Sequence, residues 1–209
     1  MGDVKAMPYS EKCDVVRDNT AFGERLAAAF IGTHLDDQAS TELREAQQEG
    51  IRPIPEDASA EEQYETAYGN WIWTAKTNLE FIRERMGDAG ITRFVDFEAE
   101  ALKHKNASPS LLMLSVIRAL SAKTAFYMTA KEFAYQLQWI TPFSVSELNP
   151  DKAVFDIPRC KVLDYPETED VCQVGCQRVY PKWVAEQFKV GMEFDLQGYG
   201  CKCTVTPLG

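Results

Sequence analysis

Five of the six cysteines fall between Phe155 and Val205, and their spacing limits how that stretch can fold. Cys172 and Cys176 are four residues apart in a segment with helical patterning, which sets both on one helix face. Cys201 and Cys203 are two apart in a segment that alternates like a strand, which sets both on one sheet face. A helix packed over that strand brings four thiols together, and Cys160 lies just ahead of the helix. Cys160, Cys172, Cys176, Cys201 and Cys203 are therefore candidate metal ligands, since paired thiols at helix and strand spacing can supply the tetrahedral set that zinc takes. Three readings of these thiols stay open: small apolar core residues, a zinc site, or a redox-active or nucleophilic cysteine. The two close Cys-x-x-Cys pairs of common zinc modules are absent.

The formal net charge of -10 argues against a nucleic-acid backbone and against anionic membrane surfaces as partners. No apolar run reaches about 18 residues, so no membrane-spanning helix is expected. The start, MGDVKAMPYSEKC, has neither a secretory nor a transit pattern, and a cytoplasmic protein is expected, with its thiols mostly reduced. The 209 residues suffice for one well-cored domain with a helical extension. The expected partner is a small molecule, and assembly into a homo-oligomer stays open.

Residues 1–10 are expected to fray. Helical spacing of Val15, Val16, Phe22, Leu26 and Phe30 predicts a helix from about Ser10 to Leu35, with Cys13 a structural thiol. Residues 36–60 are polar, acidic and Pro-containing, and read as a short helix and a loop. The division is a helical arm with acidic loop over 1–58, then a helical plus C-terminal α+β domain over 59–209. Ser59 and Glu62 form a capping-box pattern before a helix ending near Gly87, and Ile91 to Lys105 suits another. Ser108 and Pro109 open a third, LLMLSVIRALSAK, read as apolar and buried. Phe133, Tyr135, Leu137 and Trp139 alternate like a strand. Ala153–Ile157 is a second strand, Thr168 to Lys189 a helix with a kink at Pro181, and two strands flank Gly198-Tyr-Gly200. The fold class is α+β: an N-terminal helical part, then a small antiparallel sheet with a crossing helix.

Residues 130–206 carry a further pattern: Cys176 on a helix, Gly191-Met-Glu-Phe-Asp195 on a strand, Gly198-Tyr-Gly200 at a turn and Cys203 on the last strand. This layout resembles the L-2-amino-thiazoline-4-carboxylic acid hydrolase-like family and, more distantly, the 4-vinyl-reductase-type (V4R) ligand-binding domains. The resemblance implies a hydrolase acting on a C–N bond of a small heterocycle or amide, or alternatively a non-catalytic V4R-like module binding a small aromatic ligand, with zinc as the candidate cofactor.

Residue types suggest the roles. Cys172 is the nucleophile candidate, because the partial positive charge at a helix start favours thiolate. Glu193 or Asp195 is the candidate general base, although strand alternation also suits both to an outward, solvated face. Trp71, Trp73, Tyr135, Trp139 and Phe194 are candidate walls of a ligand pocket, each with plain core packing as the alternative. His34 and His104 lie far from the cysteines in sequence.

Overall fold

The computed structural model describes residues 4–105 and 116–208. Helices α1 (Tyr9–His34), α2 (Asp37–Glu49), α3 (Ala60–Lys105) and α4 (Ala122–Gln136) precede strands β1 (Ser144–Leu148) and β2 (Ala153–Ile157). A helical run of three pieces follows: α5 (Glu169–Val171), a π-helical stretch (Cys172–Val179) and α6 (Tyr180–Phe188). Strands β3 (Val190–Gln197) and β4 (Gly200–Pro207) close the chain. The four strands form one antiparallel sheet in the order β1-β2-β4-β3. This is the expected α+β architecture, helices first and sheet last. No helix among the described residues is long and apolar enough to cross a membrane.

Local signals explain most of the helix starts. Asp36 caps α2 by accepting the Ala39 N–H at 2.7 Å. Ser59 and Glu62 form the reciprocal box at the start of α3, at 3.3 and 2.9 Å, which satisfies two orphan donors. Inside α3, Gly87 breaks the helical path with φ 64 and ψ -167. The positive φ suits a residue without Cβ, and the helix resumes at once. The two halves of α3 therefore run in different directions.

Residues 133–139 are not a strand. Ser121 caps α4 by accepting the Thr124 N–H, and Phe126, Ala130, Phe133 and Ala134 are buried at helical steps. One 3-10 turn then carries Trp139 inward. The alternation of large side chains was a by-product of half-buried Tyr135 and Leu137 between deeper neighbours. Ser108 and Pro109, with the first part of the LLMLSV run, lie outside the described residues. The helical stretch at 116–120 is not buried, since Val116 is 60% and Leu120 84% exposed.

From Met7 on the chain start is anchored rather than frayed, and residues 1–3 of the stretch expected to fray lie outside the described residues. Met7 is buried, and its N–H donates to Gln138 Oε1 at 3.0 Å. One buried cluster runs from Met7 through Cys13, Phe30 and Tyr68 to Val205, so the loop near residue 58 does not separate two cores.

The sheet is pinned where β4 begins. A Cβ at Gly200 would run into the carbonyl oxygens of Ile157 and Pro158, and the Cys160 N–H donates to Tyr199 O at 2.7 Å. Gly200→Ala is therefore expected to lower unfolding stability by about 1–3 kcal/mol, read as a fall in urea midpoint. An unchanged midpoint would contradict this close approach.

Candidate functional site

Pro181 shapes the helix that carries the thiols. Its ring would clash with the carbonyl four residues back in a regular α-helix. Just before it the turns widen, and the Tyr180 N–H donates to Gly175 O, five residues back. Such π-helical turns gather at functional sites. Here the widened stretch carries Cys172 and Cys176, with Tyr180 next on the same side.

A cavity of about 100 Å³ lies between this stretch and the two halves of α3. The first half of α3 contributes Trp71, Thr74, Ala75, Asn78 and Leu79, a stripe at helical spacing. The second half contributes Phe94, Glu98 and Leu102, again four apart. The π-helical run supplies Val174, Cys176, Val179 and Tyr180, and the turn after α4 supplies Trp139 and Ile140.

The dense aromatic patch near the start of α3 sets the position of that turn. Tyr64 OH donates to Trp139 O at 2.8 Å, and Tyr68 OH to Ile140 O at 2.6 Å. Lys161 Nζ lies over both tyrosine rings, at 4.2 and 4.4 Å from their centroids. Trp139 then meets Trp71 edge to face, with centroids 5.0 Å apart.

Three groups give the cavity chemical character. Burial alone pushes the Glu98 carboxyl up to about 7, because removal from water disfavours the charged form. Burial first, then the neighbouring Cys176 and Glu98, push the Tyr180 phenol well above its ordinary range, so it stays an O–H donor. Cys176 is the one thiol among the described lining residues. On the opposite wall, Asn78 is fully engaged: it accepts from Gln47 Nε2 at 2.7 Å and donates to Gly23 O at 3.2 Å. Thr74 Oγ1 is buried with no hydrogen-bond partner.

The other thiols form a packed group behind Cys176. The Cys160 thiol is held far above its usual range, first by its hydrogen bond with Cys172 and then by burial. At Cys172 the bond from Cys160 pulls the other way, but contact with Cys176 and burial outweigh it, and the thiol is pushed up to about 11. Burial, with Cys160 and Cys172 nearby, pushes Cys201 up to about 12. Burial and then Cys201 do the same for Cys203. The late helix and the final hairpin thus bring Cys160, Cys172 and Cys201 together, with Cys176 at one end of the group. Among the described residues, no group of three or more His, Cys, Asp or Glu side chains is arranged to hold a metal ion.

The remaining candidates separate. Cys172 is buried beside Cys160 and Cys176 and does not line this cavity. Glu193 and Asp195 are exposed. They alternate with Met192 and Phe194, whose strand partners are Val205 and Cys203, so they lie on the sheet face opposite Cys201 and Cys203. Of the five aromatic candidates, Trp71 and Trp139 line the cavity. Trp73 instead covers Gly50 and donates to Gln47 O at 3.0 Å. Tyr135 donates to Glu11 at 2.6 Å, and half-buried Phe194 sits on β3. Glu98 was missed, although an acid four residues from both Phe94 and Leu102 on an apolar stripe was a visible signal. Thr74 and Tyr180 gave no comparable sign. No protein-family profile, no curated protein and no solved structure matches the chain.

Proposed function

We propose that the protein is a small-molecule hydrolase acting on a C–N bond of a small heterocycle or amide, with Cys176 as nucleophile. The observation that carries this reading is the convergence of Cys176, Tyr180 and Glu98 on one partly open cavity walled by Trp71 and Trp139. In the first step Cys176 Sγ bonds to the substrate carbon and its proton passes to the Glu98 carboxylate. The π electrons move to the carbonyl oxygen or imine nitrogen, where the Tyr180 O–H can donate a hydrogen bond. The C–N bond then breaks, and protonated Glu98 delivers the proton to the leaving nitrogen. Water attacks the thioester or thioimidate, Glu98 takes its proton, and the thiol is restored.

A carboxyl that titrates near 7 suits both halves of this cycle, because it holds and releases a proton at neutral pH. The test is turnover of small amides and cyclic amidines by the full chain and by Cys176→Ser. Turnover that disappears in the variant supports the hydrolase. A second reading, a binding module for a small aromatic ligand, draws on the edge-to-face Trp71–Trp139 pair. Saturable binding with no turnover in the unaltered chain would favour it.

A further inference from the structure

We propose that this cavity takes a small organic cation, with the Glu98 carboxylate as its counter-ion and the rings of Trp71, Trp139 and Tyr180 around it. The inference rests on the reading of the same cavity as the working site, and adds the charge class of its ligand. Glu98 is the one charged side chain among the described lining residues. No described residue offers it a hydrogen bond or an ion pair, and burial is the sole influence on it. Glu98 is half-buried, and a carboxylate partly withdrawn from water without a partner is unfavourable, so a cation supplies what the chain does not.

Lys105, which contacts the lining residues Asn19 and Phe22, is already engaged. Lys105 Nζ lies 2.7 Å from Asp18 and 2.8 Å from Asn19 Oδ1, over the Phe22 ring at 4.6 Å. A carboxylate ligand would therefore face Glu98 with no Lys, Arg or His in the described lining. Aromatic faces attract cations as well. Thr74 is an independent sign of a ligand. It is 1% exposed, lines the same cavity, and its Oγ1 is closed off without a partner, so a turn of its side chain towards the cavity would let it accept an N–H from a bound molecule.

Isothermal titration on the full chain carrying Cys176→Ser tests this with three probes: methylguanidinium, its neutral isostere methylurea, and acetate. Methylguanidinium is expected to bind at least about tenfold more tightly than methylurea, and acetate not at all. Adding Glu98→Gln is expected to abolish that preference. Adding Thr74→Val is expected to weaken methylguanidinium about fivefold, with thermal melts showing that each variant remains folded. Equal or tighter binding of methylurea or acetate, no binding of methylguanidinium, or a preference that survives Glu98→Gln overturns the inference. Turnover is scored separately with Cys176 intact. Cation binding without turnover upholds the inference and sinks the hydrolase. Amide hydrolysis without a cation preference does the reverse.

Discussion

Glu98→Gln is expected to leave the protein more stable at pH 8 and nearly inactive. The carboxyl rises from 4.5 to about 7 on folding because it is partly withdrawn from water without a partner. A raised acid pKa means that the folded state holds the proton more tightly than the unfolded state. Below about pH 4.5 both states carry it, and the burial costs little. Between 4.5 and 7 the unfolded chain ionises first, so stability falls as pH rises. Above 7 both states are ionised and the full penalty is present. At about 1.4 kcal/mol per pKa unit this is at most about 3.5 kcal/mol. The amide retains some burial penalty of its own, so the gain expected at pH 8 is about 1–3 kcal/mol, or roughly 3–10 °C in Tm. That gain should shrink towards zero near pH 4.5. Turnover should fall about a hundredfold or more, the usual contribution of a positioned acid–base group. The wild-type pH–rate profile should show a limb near 7 that the variant lacks. Equal melting temperatures at pH 8 would mean that Glu98 has a partner or reaches bulk water.

Cys176→Ser has the larger expected effect on rate. A hydroxyl in place of the thiol is a far weaker nucleophile without a base built for it, and removal of a nucleophile usually costs at least about a thousandfold. Stability should change little, because Cys176 is half-buried and the wall around it remains. Substrate or ligand binding should survive. Cys172→Ser should behave in the opposite way, since its thiol is buried at 8% exposure beside Cys160 and Cys176. A hydroxyl there is poorly matched to sulfur neighbours, so stability should drop before chemistry does. Full turnover in Cys176→Ser would remove the nucleophile from the account.

Much of this arrangement was visible in residue spacing. The capping box at Ser59 and the breaking glycine at position 87 are local signals, and local signals survive folding. The four-residue and two-residue cysteine spacings placed each pair on one face of its element, and the meeting of helix and sheet was a condition added to them. Spacing could not show which thiol turns towards open space. That depends on the wide turns ahead of Pro181, a backbone departure that a regular helical reading misses. The strand expected at Phe133–Trp139 failed for a related reason. Large residues at alternate positions also occur on a helix when its deep face holds Ala130 and Ala134, which leave room for neighbours. The base was sought near the cysteines in sequence, at Glu193 and Asp195. The acid that lines the cavity with Cys176 is Glu98, across the bend of α3, and a long-range placement of that kind leaves only an isolated acid on an apolar stripe as its trace.

The central claim is that one thiol, Cys176, faces the cavity while the other late cysteines are packed behind it. Alkylation of the native chain with iodoacetamide at pH 7.5, followed by peptide mapping over time, tests this without any knowledge of the substrate. The account predicts modification of Cys176 first, with Cys160, Cys172, Cys201 and Cys203 intact. Modification of Cys172 as fast as Cys176, or a native Cys176 that does not react, would contradict it.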